Sequence, residues 1–215
     1  MKKMILWAVC SLSAICSPGK VAAAENDPAA SGFEQISPKE IPGNIIRMID
    51  DHWMLITAGD SIQKGAFNTM TASWGGLGVL WGKPVSFIFV RNERYTYQLL
   101  EKSSYYTLSF CAPKYRPVLK DIFGTLSGRD KDKVKLSGFT PLDTGFGVGY
   151  AEASLILCCR KIYGDKIAEE NAAESERKEW YFNGSKDYHK MYIGEILSVW
   201  IKRSAMPDDR SVFTD

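Results

Sequence analysis

The chain has 215 residues, 45% hydrophobic and 24% charged, with a formal charge of +2 at neutral pH. That is the make-up of one ordinary globular domain, long enough to bury a core without disulfide or metal staples. No basic surplus points to a nucleic acid, and five cysteines without a Cys-x-x-Cys pair exclude a disulfide framework and argue against a zinc site.

Residues 1–24 read as a secretory signal peptide. MKK supplies positive charge, MILWAVCSLSAIC an apolar stretch, and Ala22-Ala23-Ala24 a small-residue cleavage site before Glu25. The apolar stretch is ended too soon, by Ser17-Pro18-Gly19-Lys20, to form a stable membrane span. A lipid anchor on Cys16 would want a small residue before it, where Ile15 stands. Export through the inner membrane to the periplasm is expected. Cleavage after Ala24 removes three lysines and no acid, so 24 bases face 25 acids. It leaves Cys111, Cys158 and Cys159, of which the last two, as neighbours on a strand, point to opposite faces. They read as small buried hydrophobes, with one disulfide through Cys111 still open.

Residues 25–36 read as a flexible leader, and residues 37–212 as the single folded domain. KEIPGNIIRMIDD gives a short amphipathic helix, and WMLITAG (53–59) a strand ended by Gly59-Asp60. AFNTMTASW (66–74) gives a second strand ended by Gly75-Gly76, and PVSFIFV (84–90) a third, with proline at its first position. TYQLLEKS has helical spacing, and YYTLSFC (105–111) returns to strand. A short helix is expected near Pro117, then a loop and a helix capped by Asp130. ASLILCCRKIYG (153–164) reads as a buried strand, residues 165–187 as a charged loop with one helical turn, and MYIGEILSVWIKR as the last strand, its glycine marking a bulge. The fold class is mainly β, an antiparallel barrel with short helical inserts rather than a doubly wound sheet.

Common catalytic fingerprints fail on spacing. Gly145-Phe146-Gly147-Val148-Gly149 is followed by Tyr150 where a dinucleotide fingerprint needs more glycine. The run from Gly78 to Lys83 is one residue short of a phosphate loop, with Pro84 in place of the magnesium-binding hydroxyl. No Gly-x-Ser-x-Gly elbow occurs. Only two histidines, His52 and His189, are present, so hydrolysis and a His-rich metal site are not indicated.

Four stretches concentrate polar chemistry. Along NTMTASW, Thr69, Thr71 and Ser73 share one face, and Asn68, Met70, Ala72 and Trp74 the other. Such hydroxyls suit either solvent or a planar polar ligand, and the glycines after Trp74 let another group approach the main chain. VRNERYT sets Arg91 and Arg94 before a helix that begins at Tyr95 or Thr96, a phosphate site or a solvated turn. SGRDKDK presents Arg129 and Lys131, and YHKMYIGEI carries His189, Lys190 and Glu195.

In this order, WMLITAG, NTMTASWGGLGVLWGKP, VRNERYT, SGRDKDK and YHKMYIGEI resemble the flavin reductase-like family of FMN-binding split barrels, in particular its flavoredoxin-like branch. The resemblance runs from about Trp53 to about Val199. It implies a six-stranded antiparallel split barrel with Greek-key features, a homodimer, and non-covalent FMN near the dimer interface. It further implies that Asn68, Thr69, Met70, Thr71, Ala72, Ser73 and Trp74 run along the isoalloxazine and ribityl chain. Arg91, Arg94, Thr96 and Lys131 would lie near the phosphate, and His189 near the reactive edge. The implied activity moves electrons from a reduced small-molecule or protein donor through FMN to free flavin, iron or a protein. Because NADH and NADPH are cytoplasmic currencies, an exported electron carrier without their turnover is the alternative, and a barrel that binds no flavin is a third.

Overall fold

The computed structural model describes residues 26–59, 61–182 and 187–205. The expected signal segment lies outside them. Seven strands form one antiparallel path: β2 (Met54–Gly59), β3 (Phe67–Ala72), β4 (Gly75–Leu80), β5 (Lys83–Val90), β6 (Tyr105–Cys111), β9 (Ala153–Lys166) and β10 (Lys190–Ile201), in the spatial order β3-β2-β6-β9-β10-β5-β4. β1 (Glu34–Ile36) adds to the C-terminal half of β10, so the end of the expected flexible leader is a paired strand. A separate hairpin joins β7 (Pro141–Asp143) to β8 (Val148–Tyr150).

The sheet curls around a first core. Met54, Ile56 and Ala58 of β2, Tyr106, Leu108 and Phe110 of β6, and Leu155, Leu157 and Cys159 of β9 all face it. The intervening residues face a second core. Leu55, Ile156 and Cys158 meet Phe123, Phe139 and Tyr150 there. β9 is therefore buried on both faces over its first seven residues, which explains its unbroken apolar run. Cys158 and Cys159 do point to opposite cores, and with Cys111 they are buried, unpaired thiols. Burial holds the Cys111 and Cys159 thiols up at about 12, so none is poised to ionise.

The path ends at β3 and β4, joined only by Ser73-Trp74 and not hydrogen-bonded to each other among the described residues. This is the split in the barrel. The sequence reading ended the strand at Gly75-Gly76 because glycine is a poor strand residue. In the structure these glycines open β4, and a Cβ at Gly75 would lie 2.5 Å from the Phe87 carbonyl oxygen. The close approach is made by β5, not by a ligand. Gly194 behaves as read: the β9–β10 register shifts beside it, and a Cβ there would meet the Tyr106 hydroxyl at 2.3 Å.

Short helices sit at the ends and edges. α1 (Ile45–Asp50) is capped by the Asn44 side chain. α2 (Tyr95–Lys102) packs on β2 and β3. α3 (Arg116–Val118) runs into a wide π-type turn, Leu119–Gly124, which packs on β3. α4 (Lys133–Ser137) is capped by Asp132 rather than Asp130, and α5 (Glu174–Trp180) lies in the charged segment before β10. No helix among the described residues is long and apolar enough to cross a membrane.

Candidate functional site

Among the described residues β3 is paired on one edge only, with β2. Along its other edge run two cavities. One, of about 180 Å3, is lined by Met70, Thr71, Ala72, Ser73 and Trp74 together with Phe89, Arg91, Arg94, Trp180 and His189. The next, of about 230 Å3, is lined by Asn68, Met70, Arg94, Thr96, Ser127 and Lys133 among others. Met70 and Arg94 belong to both, so they form one trough. Each cavity alone is smaller than a typical small-molecule site of ~300–1,000 Å3, and together they reach that range.

The first end is aromatic. The Trp74 ring lies 4.7 Å from the His189 ring and meets Trp180 edge-on at 5.0 Å. His189 Nδ1 and the Tyr181 hydroxyl are hydrogen-bonded at 2.9 Å. Burial and the Arg91 cation hold the imidazole down at about 4, so it is neutral at physiological pH. A neutral imidazole can orient a ligand through a hydrogen bond, but it does not bring a positive charge.

The second end is cationic. Arg94 Nη1 donates to the Gly124 carbonyl at 2.9 Å, and Lys133 Nζ to the Phe123 carbonyl at 3.3 Å. Both carbonyls come from the end of the π-type turn, whose wide winding leaves them free to accept from side chains. Lys133 is 6% exposed, and burial with the nearby Arg94 charge holds its ammonium down at about 8. Neither cation has a carboxylate within ion-pair distance among the described residues. The N-terminus of α2 opens into the same cavity through Arg94, Tyr95 and Thr96, with no side chain capping it. Two cations held by carbonyls, an uncapped helix N-terminus and the hydroxyls of Thr125 and Ser127 form an anion site.

The expected residues divide accordingly. Asn68, Met70, Thr71, Ala72, Ser73, Trp74, Arg91, Arg94, Thr96 and His189 line the trough. Thr69 does not offer its hydroxyl to it: Oγ1 lies 2.9 Å from Thr57 Oγ1 and 2.6 Å from the Tyr150 hydroxyl, inside the second core. The Thr71 hydroxyl donates to the Leu119 carbonyl at 2.6 Å, and Thr96 Oγ1 accepts from Asn68 Nδ2 at 2.7 Å. The expected row of free hydroxyls is thus largely engaged within the protein, and what β3 presents to the trough is its unpaired backbone edge. Arg91 lines the aromatic cavity together with Arg94 but is not in the lining of the 230 Å3 anion cavity. It donates to the carbonyls of Trp180 and Asp187 and lies over the Tyr181 ring, fastening that segment beside Trp74. Lys131 lines a neighbouring chamber instead. Lys133 and Trp180 were missed. A lysine inside a charged run looks solvated, and Trp180 lies in a stretch read as loop.

An unpaired strand edge for a planar ring with hydrogen-bonding atoms, an aromatic end and an anion end fit a phosphorylated ring cofactor. The split antiparallel barrel that carries them defines the class. Residues 47–213 match the model of the flavin reductase like domain, and the chain belongs to that family. Solved structures agree in fold. A Shewanella baltica FMN-binding domain of flavin reductase-like enzymes is 13% identical over 83% of this chain and 81% of its own, with a TM-score of 0.57. A flavoredoxin of Desulfovibrio vulgaris is 22% identical over 73% of each chain, TM-score 0.54. A Streptomyces globisporus NADH:FAD oxidoreductase is 17% identical over 69% of this chain and 73% of its own, TM-score 0.51. No protein of curated function matches the sequence.

Proposed function

We propose that the chain is an FMN-dependent oxidoreductase, carrying electrons from a reduced donor through bound FMN to free flavin, iron or a protein acceptor. The observation that carries this reading is the trough itself, with its Arg94–Lys133 anion end and Trp74–His189 aromatic end joined along one strand edge. Bound FMN supplies the hydride and electron chemistry. The chain's own residues supply the rest. Arg94 and Lys133 hold the phosphate, with Thr96 and Ser127 at its rim. The unpaired β3 edge would offer its backbone groups to the hydrogen-bonding atoms of the ring. Trp74 and Trp180 shield the ring from water at the aromatic end, and neutral His189 orients a donor or acceptor there by a hydrogen bond.

The test is optical and kinetic. Purified mature protein should bind FMN with the absorbance of a flavoprotein, and the holoprotein should oxidise NADH or NADPH in the steady state. A protein that takes up no FMN overturns the reading. Flavin uptake with dithionite reduction but no nicotinamide turnover points to another donor.

We also propose a homodimer through the β4–β5 hairpin and α1. There Val79 and Ile46 are 77% exposed and Trp81 is 66% exposed. Sedimentation should show a dimer that Trp81→Asp disrupts. Export with cleavage after Ala24 is supported by the sequence pattern. N-terminal sequencing of the periplasmic fraction should begin at Glu25.

A further inference from the structure

A neutral imidazole offers a ligand one of two things: the ring nitrogen that carries the hydrogen donates, and the other accepts. At the aromatic end the choice between them decides what a ligand must bring. Nδ1 of His189 is taken by the Tyr181 hydroxyl at 2.9 Å. Nε2 has no hydrogen-bond partner among the described residues, and it is not one of the fully buried unpartnered atoms. It therefore borders free space, and the space that His189 lines is the cavity of about 180 Å3 beside Trp74.

The chemistry of the pair sets the direction of its hydrogen bond. A phenol O–H is far more acidic than the N–H of a neutral imidazole, and an imidazole nitrogen is far more basic than a phenol oxygen. Burial raises the Tyr181 phenol above its ordinary value, against the pull of Arg91 and the His189 backbone N–H, so the phenol keeps its proton at neutral pH. Tyr181 thus donates to Nδ1, and the hydrogen of the imidazole sits on Nε2. The tyrosine is itself held by contacts that do not use its hydroxyl. Its ring stacks on Tyr188 with centroids 4.3 Å apart at 21°, and the Arg91 guanidinium carbon lies 5.4 Å from its centre. Arg91 also fixes the preceding Trp180 through its carbonyl at 3.0 Å. The Asp187 carboxylate accepts from the backbone N–H groups of Asn92 and Glu93, at 3.2 and 3.4 Å, which ties the approach to β10 to the turn after Arg91.

The rest of this cavity is rich in donors. Arg91, Arg94 and the indoles of Trp74 and Trp180 can only donate, and neither a carboxylate nor a side-chain amide lines it. With the hydrogen on Nδ1, the Nε2 lone pair would be its strongest side-chain acceptor. With the hydrogen on Nε2, that acceptor is replaced by one more donor.

We propose that Tyr181 is a positioning residue that holds His189 as an Nε2–H donor, so that the aromatic end selects a substrate through a carbonyl oxygen. An amine at the same place meets side chains that are donors and cations. The inference rests on the proposed flavin reading for the presence of a redox substrate there, whereas the tautomer stands on the chain's own geometry.

Nitrogen-15 NMR of histidine-labelled, flavin-free protein reads the tautomer directly. Nδ1 of His189 should resonate as a pyridine-type nitrogen and Nε2 as a pyrrole-type one. The sequence has only two histidines, so His189→Gln assigns the signals. Tyr181→Phe keeps the stacked ring but removes the phenol proton, and the two signals should move toward each other as both tautomers are populated. A tyrosine that only fills space would leave them where they are. The reverse pattern in the wild-type protein, or a pattern unchanged in Tyr181→Phe, overturns the proposal. The wild-type spectrum decides the direction of the hydrogen bond even where the phenylalanine variant fails to fold.

The second arm is calorimetry on FMN-loaded protein with two probes of one skeleton, acetophenone and 1-phenylethylamine. Acetophenone should bind and the amine should not. His189→Phe should weaken acetophenone about two- to tenfold, the worth of one neutral hydrogen bond. Absence of acetophenone binding, equal affinity for the two probes, or acetophenone affinity unchanged in His189→Phe overturns the carbonyl selection. A protein that takes up no FMN sinks the flavin reading by itself, while the NMR spectrum still decides the tautomer.

Discussion

Two pairs of cations in this molecule are held in opposite ways. On the outer surface of the barrel, Lys83 and Arg160 both reach Glu195, at 2.8 and 2.5 Å. Those two hydrogen bonds hold the Glu195 carboxyl below the usual carboxylate range. At the β3 edge, the hydrogen bonds of Arg94 and Lys133 among the described residues go to the carbonyls of Gly124 and Phe123. A carbonyl at a helix end offers a partial charge, so it orients a cation without neutralising it. The first pair is electrostatically complete. The second keeps a positive field in a half-closed cavity, where an anion meets less screening than in bulk water. What distinguishes a binding site from a structural ion pair here is the identity of the acceptor, not the number of charges.

The sharpest way to break this contrast is Arg94→Ala. Losing one charge-assisted partner of a phosphate costs ~1.5–3 kcal/mol, or about 10- to 150-fold in affinity. FMN should weaken by that factor, while riboflavin should bind as before. Equal weakening of the two ligands in fluorescence titrations would remove Arg94 from the phosphate end.

His189 tests the aromatic end. The unfolded chain takes up a proton on this imidazole near 6.5, the folded protein only near 4. Between those values the unfolded state binds more protons, so stability falls as pH falls through that window. At pH 5 the contribution of His189 is about 2 kcal/mol at most. The wild-type protein without flavin should lose that much more stability than His189→Gln between pH 7 and pH 5, as measured by urea unfolding. Parallel pH profiles for the two proteins would show that the imidazole titrates normally.

These expectations also mark what could be read without coordinates. β2, β6, the double-faced burial of β9 and the bulge at Gly194 follow from local alternation and apolar runs, and they stand in the fold. β4 did not, because Gly75, Gly76 and Gly78 carry no side-chain pattern and their strand exists only through pairing with β5. Within the site, Trp74, Arg94 and His189 were legible as residue types in a known order. The roles of the hydroxyls were not. Period-2 alternation tells which residues share a face, yet the trough lies along an edge and draws on both faces of β3. Thr69 illustrates the difference: its partners Thr57 and Tyr150 are 12 and 81 residues away in sequence. Lys133 needed the π-type turn, whose free carbonyls no local pattern announces.

A smaller effect is expected at Lys133, because its charge is already partly given up by burial. Phosphate favours the protonated ammonium, so FMN affinity should be level below about pH 8 and decline above it, by at most ~tenfold per pH unit for one proton. Without flavin the sign reverses. The unfolded lysine stays protonated to about 10.5 while the folded one does not, so its contribution to stability rises with pH above about 8. Lys133→Met should abolish the decline in FMN affinity, weaken FMN about tenfold at neutral pH, and leave the flavin-free protein no less stable. A decline that persists in the methionine variant would assign it to another group.

The smallest effect is the control that gives the contrast its meaning. Glu195→Gln removes the carboxylate that Lys83 and Arg160 share, leaving two surface cations close together. Exposed pairs of this kind contribute little to stability, because water screens the charges that remain. The melting temperature should therefore move only slightly, and FMN and riboflavin affinities should not move at all. The loss of Glu195 gives this surface two uncompensated cations, the same formal count as the β3 edge. If that alone created FMN affinity at the new place, charge count would be enough to make a site. If it does not, the cavity, the carbonyl acceptors and the uncapped α2 terminus are what turn Arg94 and Lys133 into one.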